Sequence, residues 1–191
     1  GVSAMKVLLL GIGLQGKAVV YDLDQSPLVS EIVAADLDER AVAAYLGQAG
    51  CRKARAARLD ASDQGALDAL IAAERPHLLL SMLPAAMNYD MASAALRAKL
   101  PYVSSSYAGR VAELDGEARR LGLTVLPEMG LDPGIDLVLG MRAVGELDEV
   151  HGLYSYGSGV PEPACADRNP LKYKITWTLQ GVLNSYKRPA R

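Results

Sequence analysis

A chain of 191 residues, half of them apolar, carries 20 basic and 22 acidic side chains, for a net charge of −2 at neutral pH. Without an excess of Lys and Arg there is no electrostatic footprint for a phosphate backbone, which argues against nucleic acid as a partner. The apolar run Val7–Leu10 falls far short of the ~20 residues that span a bilayer, so no membrane association is expected.

Gly1–Ala4, ahead of Met5, read as a remnant of expression and stand outside the fold argument. Lys6–Leu10 is an apolar run closed by glycine, which predicts a buried strand. Leu14–Leu23 predicts a helix, with Leu14, Ala18, Val19 and Tyr21 at helical spacing. Glu31–Ala35 predicts a second strand ending at Asp36, and Glu39–Leu46 a helix capped by Asp38. A third strand is expected over Ala57–Leu59, ending at Asp60, followed by a helix capped by Ser62 that runs to Glu74 before Pro76. His77–Ser81 predicts a fourth strand, Ala85–Leu100 a long helix and Tyr102–Ser104 a fifth strand. Val111–Leu121 predicts another helix and Leu123–Leu126 a sixth strand. This alternation implies an α/β fold with a doubly wound (Rossmann) parallel sheet over residues 5–131.

Beyond Leu131 the pattern changes. Asp132-Pro133-Gly134 is expected to open a helix running to about Val144, then His151–Tyr156 a strand, then a Gly- and Pro-rich segment to Pro170. Lys172–Arg191 shows no closing element. Residues 132–191 read as a connecting helix and the incomplete start of a second, α+β domain. Cys51 and Cys165 are far apart and lack metal-ligand spacing, which fits inert thiols in a reducing cytoplasm and no metal site.

The chemistry-bearing signal is Gly11-Ile12-Gly13-Leu14-Gln15-Gly16, set between a predicted strand and a predicted helix. Gly11 suits a tight turn, Gly13 leaves room for a pyrophosphate, and Gly16 lets helix and strand pack closely. The amides around Leu14 and Gln15 then face the phosphates at the positive end of the helix. Asp36, about twenty residues past Gly16, ends the next strand where a carboxylate accepts from both ribose hydroxyls. That carboxylate repels a 2′-phosphate, so NAD is preferred, with NADP allowed because Arg40 lies close in sequence. Asp60 is placed to border the adenine pocket or to make a turn, while Ser81 and Leu83 leave the fourth strand at the ligand-binding edge. Ser81 could equally cap a helix.

Four segments carry a more specific signal: Ser104–Tyr107 (SSSY), Pro127–Asp136 (PEMGLDPGID), Tyr154–Pro163 (YSYGSGVPEP) and Asn169–Trp177 (NPLKYKITW). In their order and spacing the chain resembles the saccharopine dehydrogenase family, whose members include glutamate-forming saccharopine reductases and lysine 6-dehydrogenases. SSSY with EMGLDPGID looks like the former, and the ending from Tyr173 looks like the latter. Saccharopine reductases tend to carry a Cys where this chain has Gly157, so no role of that thiol carries over. The resemblance implies an NAD(P)-dependent oxidoreductase acting on the CH–NH group of lysine or a lysine-derived amino acid, with carboxynorspermidine-type chemistry a third form. It also implies a second domain continuing past Arg191 and a homodimer in the whole protein. Residues 1–191 alone are then expected to turn over nothing.

Within that frame Tyr107, at the edge after the fifth strand, could hydrogen-bond the reacting amine or simply pack. Asp132 reads as a helix cap before Pro133, and the family pattern adds a role as ligand of a substrate ammonium. Lys174 could pair with a substrate carboxylate or lie solvated at the surface. Glu128 could position an amine or lie buried against a partner. His77 and His151 read as structural, and no residue stands out as a general base. The rival from another class is a non-catalytic module that senses NAD.

Overall fold

The computed structural model describes residues 4–157, 159–168, 170, 172–175 and 179–187. Two compact units, Gly1–Leu139 and Gly140–Arg191, divide the chain. The first unit holds six parallel strands: β1 (Met5–Leu10), β2 (Val29–Asp36), β3 (Ala54–Arg58), β4 (Leu78–Ser81), β5 (Tyr102–Ser104) and β6 (Val125–Leu126). Their spatial order is β3-β2-β1-β4-β5-β6, with every neighbouring pair parallel. This is the doubly wound order expected of the alternating pattern, and it leaves a crevice where β1 and β4 diverge at their carboxyl ends.

Both faces of the sheet are covered, which is why β1 reads as unbroken MKVLLL. Val7 and Leu9 turn to one face, where they meet Val20 of helix α1 (Leu14–Gln25) and Val42 and Leu46 of α2 (Glu39–Ala49). Leu8 and Leu10 turn to the other, against Leu67 and Ile71 of α3 (Gln64–Glu74), Met91–Leu96 of α4 (Asn88–Arg97) and Ala118 of α5 (Asp115–Leu121). Each fully buried Leu or Ile here is worth about 1.5–3 kcal/mol relative to exposure.

Several elements depart from the sequence pattern for identifiable reasons. Helix α1 buries Gly16, Val20 and Asp24, not the side of Leu14 and Tyr21, which are 72% and 52% exposed. Contact at Gly16 dictates that stripe. Strand β3 begins at Ala54, earlier than expected, because it is a sheet edge where polar residues are tolerated; Arg55 reaches out to Glu31 and Glu74. Helix α3 is capped by Asp63, the residue immediately before it, which accepts from the Ala66 amide at 3.0 Å; Ser62 stands one residue further out and donates its hydroxyl to Asp60. The expected Ala85–Leu100 helix is a 3-10 turn (Ala85–Met87) followed by α4, and Val111–Leu121 divides likewise into a 3-10 stretch (Gly109–Leu114) and α5.

Helix α6 (Ile135–Gly145) starts after the Asp132–Gly134 turn, so Asp132 is not its cap with Pro133 in the first turn. The Gly134 amide donates instead to Asp136 Oδ1 at 2.8 Å, and the Asp132–Pro133 peptide is cis. In the second unit His151–Tyr156 is not a strand: among the described residues no segment pairs with it, and Tyr154 and Tyr156 are largely exposed. The stretch expected to lack a closing element contains α8 (Leu179–Ser185), and a short α7 covers Pro163–Ala166. No helix among the described residues is long and apolar enough to cross a membrane.

Candidate functional site

The turn after β1 is shaped by two glycines that side chains could not replace. Gly11 has φ +84°, and a Cβ there would meet Leu83 and the Met82 carbonyl carbon at 3.0–3.1 Å. At Gly16 a Cβ would stand 2.0 Å from the Gly11 carbonyl oxygen, so α1 approaches the turn more closely than any other residue allows. Gly13 differs: nothing lies within 4 Å of its missing Cβ. Its openness faces the start of α1, which has no side-chain cap, so the amides of the first turn, including Leu14 and Gln15, have no intrahelical acceptor. Open space beside unclaimed amides at a helix N-terminus is what a pyrophosphate requires, and the turn fits one.

Asp36 is half-buried at the end of β2 and ties two turns together. Its Oδ2 accepts from the Ile12 amide at 2.7 Å and its Oδ1 from the Asp38 amide at 3.3 Å. A carboxylate offers about four lone-pair sites, so these two bonds leave capacity for ribose hydroxyls. Asp38 is the expected cap of α2, accepting from the Ala41 amide at 3.0 Å. Asp60 is exposed, and its Oδ1 accepts from both the Ser62 hydroxyl (2.5 Å) and the Ser62 amide (2.9 Å). Those bonds hold its carboxyl below the usual range, the hydroxyl contributing most. Ser81 is buried and its hydroxyl accepts from the Leu83 amide at 3.4 Å, so it braces the β4 exit. Leu83 reaches back to contact Gly11.

At the same edge the segment after β5 brings Tyr107 onto Asp132. The Tyr107 hydroxyl donates to Asp132 Oδ1 at 2.8 Å. That bond, followed by partial burial and the charges of Asp132, Asp136 and Glu128, pushes the phenol up to about 12. Tyr107 is therefore a neutral phenol at physiological pH. With its proton directed at Asp132, the phenol oxygen presents lone pairs outward beside a carboxylate, an arrangement suited to a cationic N–H. Two open grooves, of about 630 and 520 Å³, lie elsewhere on the surface and include none of these residues.

Comparison with known proteins finds two matching family models, one after the other along the chain. Residues 7–126 match the model of the saccharopine dehydrogenase NADP binding domain, and residues 130–191 that of the saccharopine dehydrogenase C-terminal domain. The chain belongs to the saccharopine dehydrogenase family. It is 33% identical to a saccharopine dehydrogenase (NADP(+), L-glutamate-forming) of Saccharomyces cerevisiae over 190 residues, 97% of this chain and 41% of that protein. An alpha-aminoadipic semialdehyde synthase of Arabidopsis thaliana is 35% identical over 147 residues, covering 74% of this chain and 14% of the other. The solved apo saccharopine dehydrogenase (L-Glu forming) from S. cerevisiae superposes with a TM-score of 0.74 at 34% identity, over 94% of this chain and 40% of that one. The chain thus spans about two fifths of the length of the saccharopine dehydrogenases it matches.

Of the saccharopine dehydrogenase segments noted in the sequence, SSSY and PEMGLDPGID meet in the first unit through Tyr107 and Asp132. Lys174 belongs to the second unit, is exposed, and its backbone amide donates to the Gly159 carbonyl at 2.8 Å. Ser158 of YSYGSGVPEP, and Asn169, Leu171, Thr176 and Trp177 of NPLKYKITW, lie outside the described residues. Cys51 is half-buried and burial pushes its thiol up, consistent with an unreactive group; Cys165 is exposed. Among the described residues no cluster of His, Cys, Asp or Glu could hold a metal ion. His77 has a structural bond: its Nδ1 accepts from the Lys6 amide at 3.0 Å.

Two polar residues were not legible beforehand. Asp24 is a buried carboxylate accepting from the amides of Arg52 and Lys53 at 2.6–3.1 Å, and only its place on the 16-20-24 stripe marks it. Asn88, 5% exposed at the start of α4, accepts from the hydroxyls of Tyr102 (2.6 Å) and Ser104 (2.9 Å).

Proposed function

We propose that this chain is the nucleotide-binding part, with the opening of the C-terminal domain, of a nicotinamide-dependent oxidoreductase acting on the CH–NH group of lysine or a lysine-derived amino acid. The observation that carries this reading is the placement of the glycine turn and the Tyr107–Asp132 pair on the same carboxyl edge of one sheet. Leu10, Ser81 and Ser104, in register across β1, β4 and β5, set the two side by side.

In this reading the amides following Gly13 hold the pyrophosphate, Asp36 accepts from the adenosine ribose, and Asp60 and Leu83 border the nucleotide. A bound nicotinamide supplies the hydride acceptor or donor for the carbon bearing the nitrogen. Tyr107 and Asp132 receive that nitrogen. An ammonium has no lone pair to stabilise a developing iminium, so the substrate must lose a proton before hydride leaves. A carboxylate already hydrogen-bonded to a neutral phenol can accept the N–H while the phenol fixes its direction. The names of the relatives favour saccharopine over free lysine as the amine.

On the cofactor this reading departs from those names and from the matched NADP binding domain, which specify NADP. Asp36, followed closely by Asp38, would repel a 2′-phosphate, and this supports NAD. Arg58, exposed and in register with Asp36 at the end of β3, and Arg40 on α2 are the countercharges that would let NADP bind more weakly. The test is twofold. Titration with NAD and NADP should give tighter binding of NAD; equal or reversed affinities would overturn the preference. In a protein carrying this chain at the length of its relatives, reduced nicotinamide should form with saccharopine, releasing glutamate, or with L-lysine, releasing ammonia. Nucleotide binding without turnover of either amine would leave only a nucleotide-binding module.

A further inference from the structure

The segment bearing Tyr107 has a single peptide group held at both ends by distant side chains. Asn88 Nδ2 donates to the Tyr107 carbonyl at 3.1 Å, and the Ala108 amide donates to Glu128 Oε1 at 2.9 Å. That carbonyl and that amide belong to the same peptide plane, so its orientation is set from two sides. Each clamp is itself anchored. Asn88 Oδ1 takes the hydroxyls of Tyr102 and Ser104, both buried on β5. The orientation of its amide follows from these partners, since the reverse would set two oxygens against each other at the Tyr107 carbonyl. Glu128 has φ +65°, and its amide donates to the Ser106 carbonyl at 2.9 Å while the Met129 amide donates to Ser104 at 2.9 Å. The segment 104–108 is thus pinned to β5 beneath and to 128–129 beside.

We propose that Asn88 and Glu128 are positioning residues that fix the Tyr107–Ala108 peptide and thereby hold the Tyr107 hydroxyl on Asp132. Neither residue needs to touch substrate or cofactor for this. The significance of the pair rests on the function proposed above for Tyr107 and Asp132, whereas the clamp itself can be read without any ligand. Tyr107 is 56% exposed, so packing around the ring alone does not fix the direction of its phenol.

The experiment follows the ζ-carbon of each tyrosine by NMR through a pH titration, with Tyr107→Phe assigning the resonance. In the unsubstituted protein Tyr107 is expected to titrate near 12. Glu128→Ala removes the acceptor of the Ala108 amide and should return the phenol toward the ordinary value of about 10. Glu128→Gln keeps an acceptor oxygen and loses only the charge, so it should stay close to the unsubstituted protein. Asn88→Ala should act like Glu128→Ala, and thermal midpoints for all variants identify any that have simply unfolded. An unmoved Tyr107 in folded Glu128→Ala would overturn the proposal. So would a fall in Glu128→Gln as large as that in Glu128→Ala, because charge alone would then explain the effect. Adding saccharopine or lysine to the NAD-bound protein at the length of its relatives separates the two readings. A clamp that behaves as expected with no amine-induced shift at Tyr107 would count against the proposed function and leave the clamp standing.

Discussion

The glycine turn and the Tyr107 corner occupy the same edge of one sheet but are made of different material. The turn is backbone: Gly11 and Gly16 matter because they lack atoms, and the amides that follow Gly13 are the ones proposed to meet the nucleotide. The corner is side chain: Asn88, Tyr107 and the pair Glu128 and Asp132 come from three separate segments and are joined by hydrogen bonds. A backbone site is specified by spacing along one short stretch. A side-chain site is specified by how several stretches fold onto one another. The difference predicts that substitutions at the turn should act on folding or on the nucleotide in an all-or-none manner, while those at the corner should act by degrees.

The sharpest way to break this contrast is Gly16→Ala. The added methyl would stand 2.0 Å from a backbone oxygen that cannot swing away, so urea denaturation should show a loss of about 3 kcal/mol. A loss below about 1 kcal/mol would mean that the turn yields and is not rigid. Gly13→Ala isolates function from stability, because its methyl meets nothing within 4 Å. Stability should hold within about 0.5 kcal/mol while NAD affinity drops by at least about tenfold; unchanged affinity would remove the pyrophosphate from this turn.

Asp36→Ala comes next. Loss of a charged acceptor should weaken NAD by about 10- to 100-fold and NADP by only a few-fold, as read by calorimetry. Parallel losses for both nucleotides would erase the discrimination assigned to that carboxylate. The smallest effect belongs to the corner. Tyr107 holds its proton more tightly folded than unfolded, so its contribution is complete below about pH 10 and disappears as pH rises through about 12. Tyr107→Phe should flatten that part of the stability–pH curve and change stability at neutral pH by under about 1 kcal/mol, since the phenol is more than half exposed.

The same contrast explains what could be read from the amino acids alone. Strands β1 and β5, the glycine turn, Asp36 at the end of β2 and the Asp38 cap follow from local pattern and stand where expected. Errors arose where two local signals compete. Ser62 and Asp63 are adjacent capping residues, and the helix starts one residue later than Ser62 would require, directly after Asp63. Asp132 before Pro133 looks like the start of a helix, but the carboxylate goes to Tyr107 and the helix begins later. The buried side of α1 does not follow from its apolar residues, because its controlling contact, Gly16 against Gly11, involves no apolar side chain at all. Asn88 has no local signature, and Glu128, a candidate from its motif, shows in the sequence nothing of its bond to the Ala108 amide; each meets partners 14 to 20 residues away.

The two margins of the sheet carry a consequence of their own. One is bounded by β3, whose sequence ARAAR puts exposed arginines along the open ladder, and the other by β6, only two residues long. Repulsion guards the first border and brevity the second, so neither offers a foreign strand much purchase. Concentrated solutions of the nucleotide-binding unit should accordingly resist fibril growth from either flank, and replacing Arg55 and Arg58 with valine would be the quickest way to remove that protection.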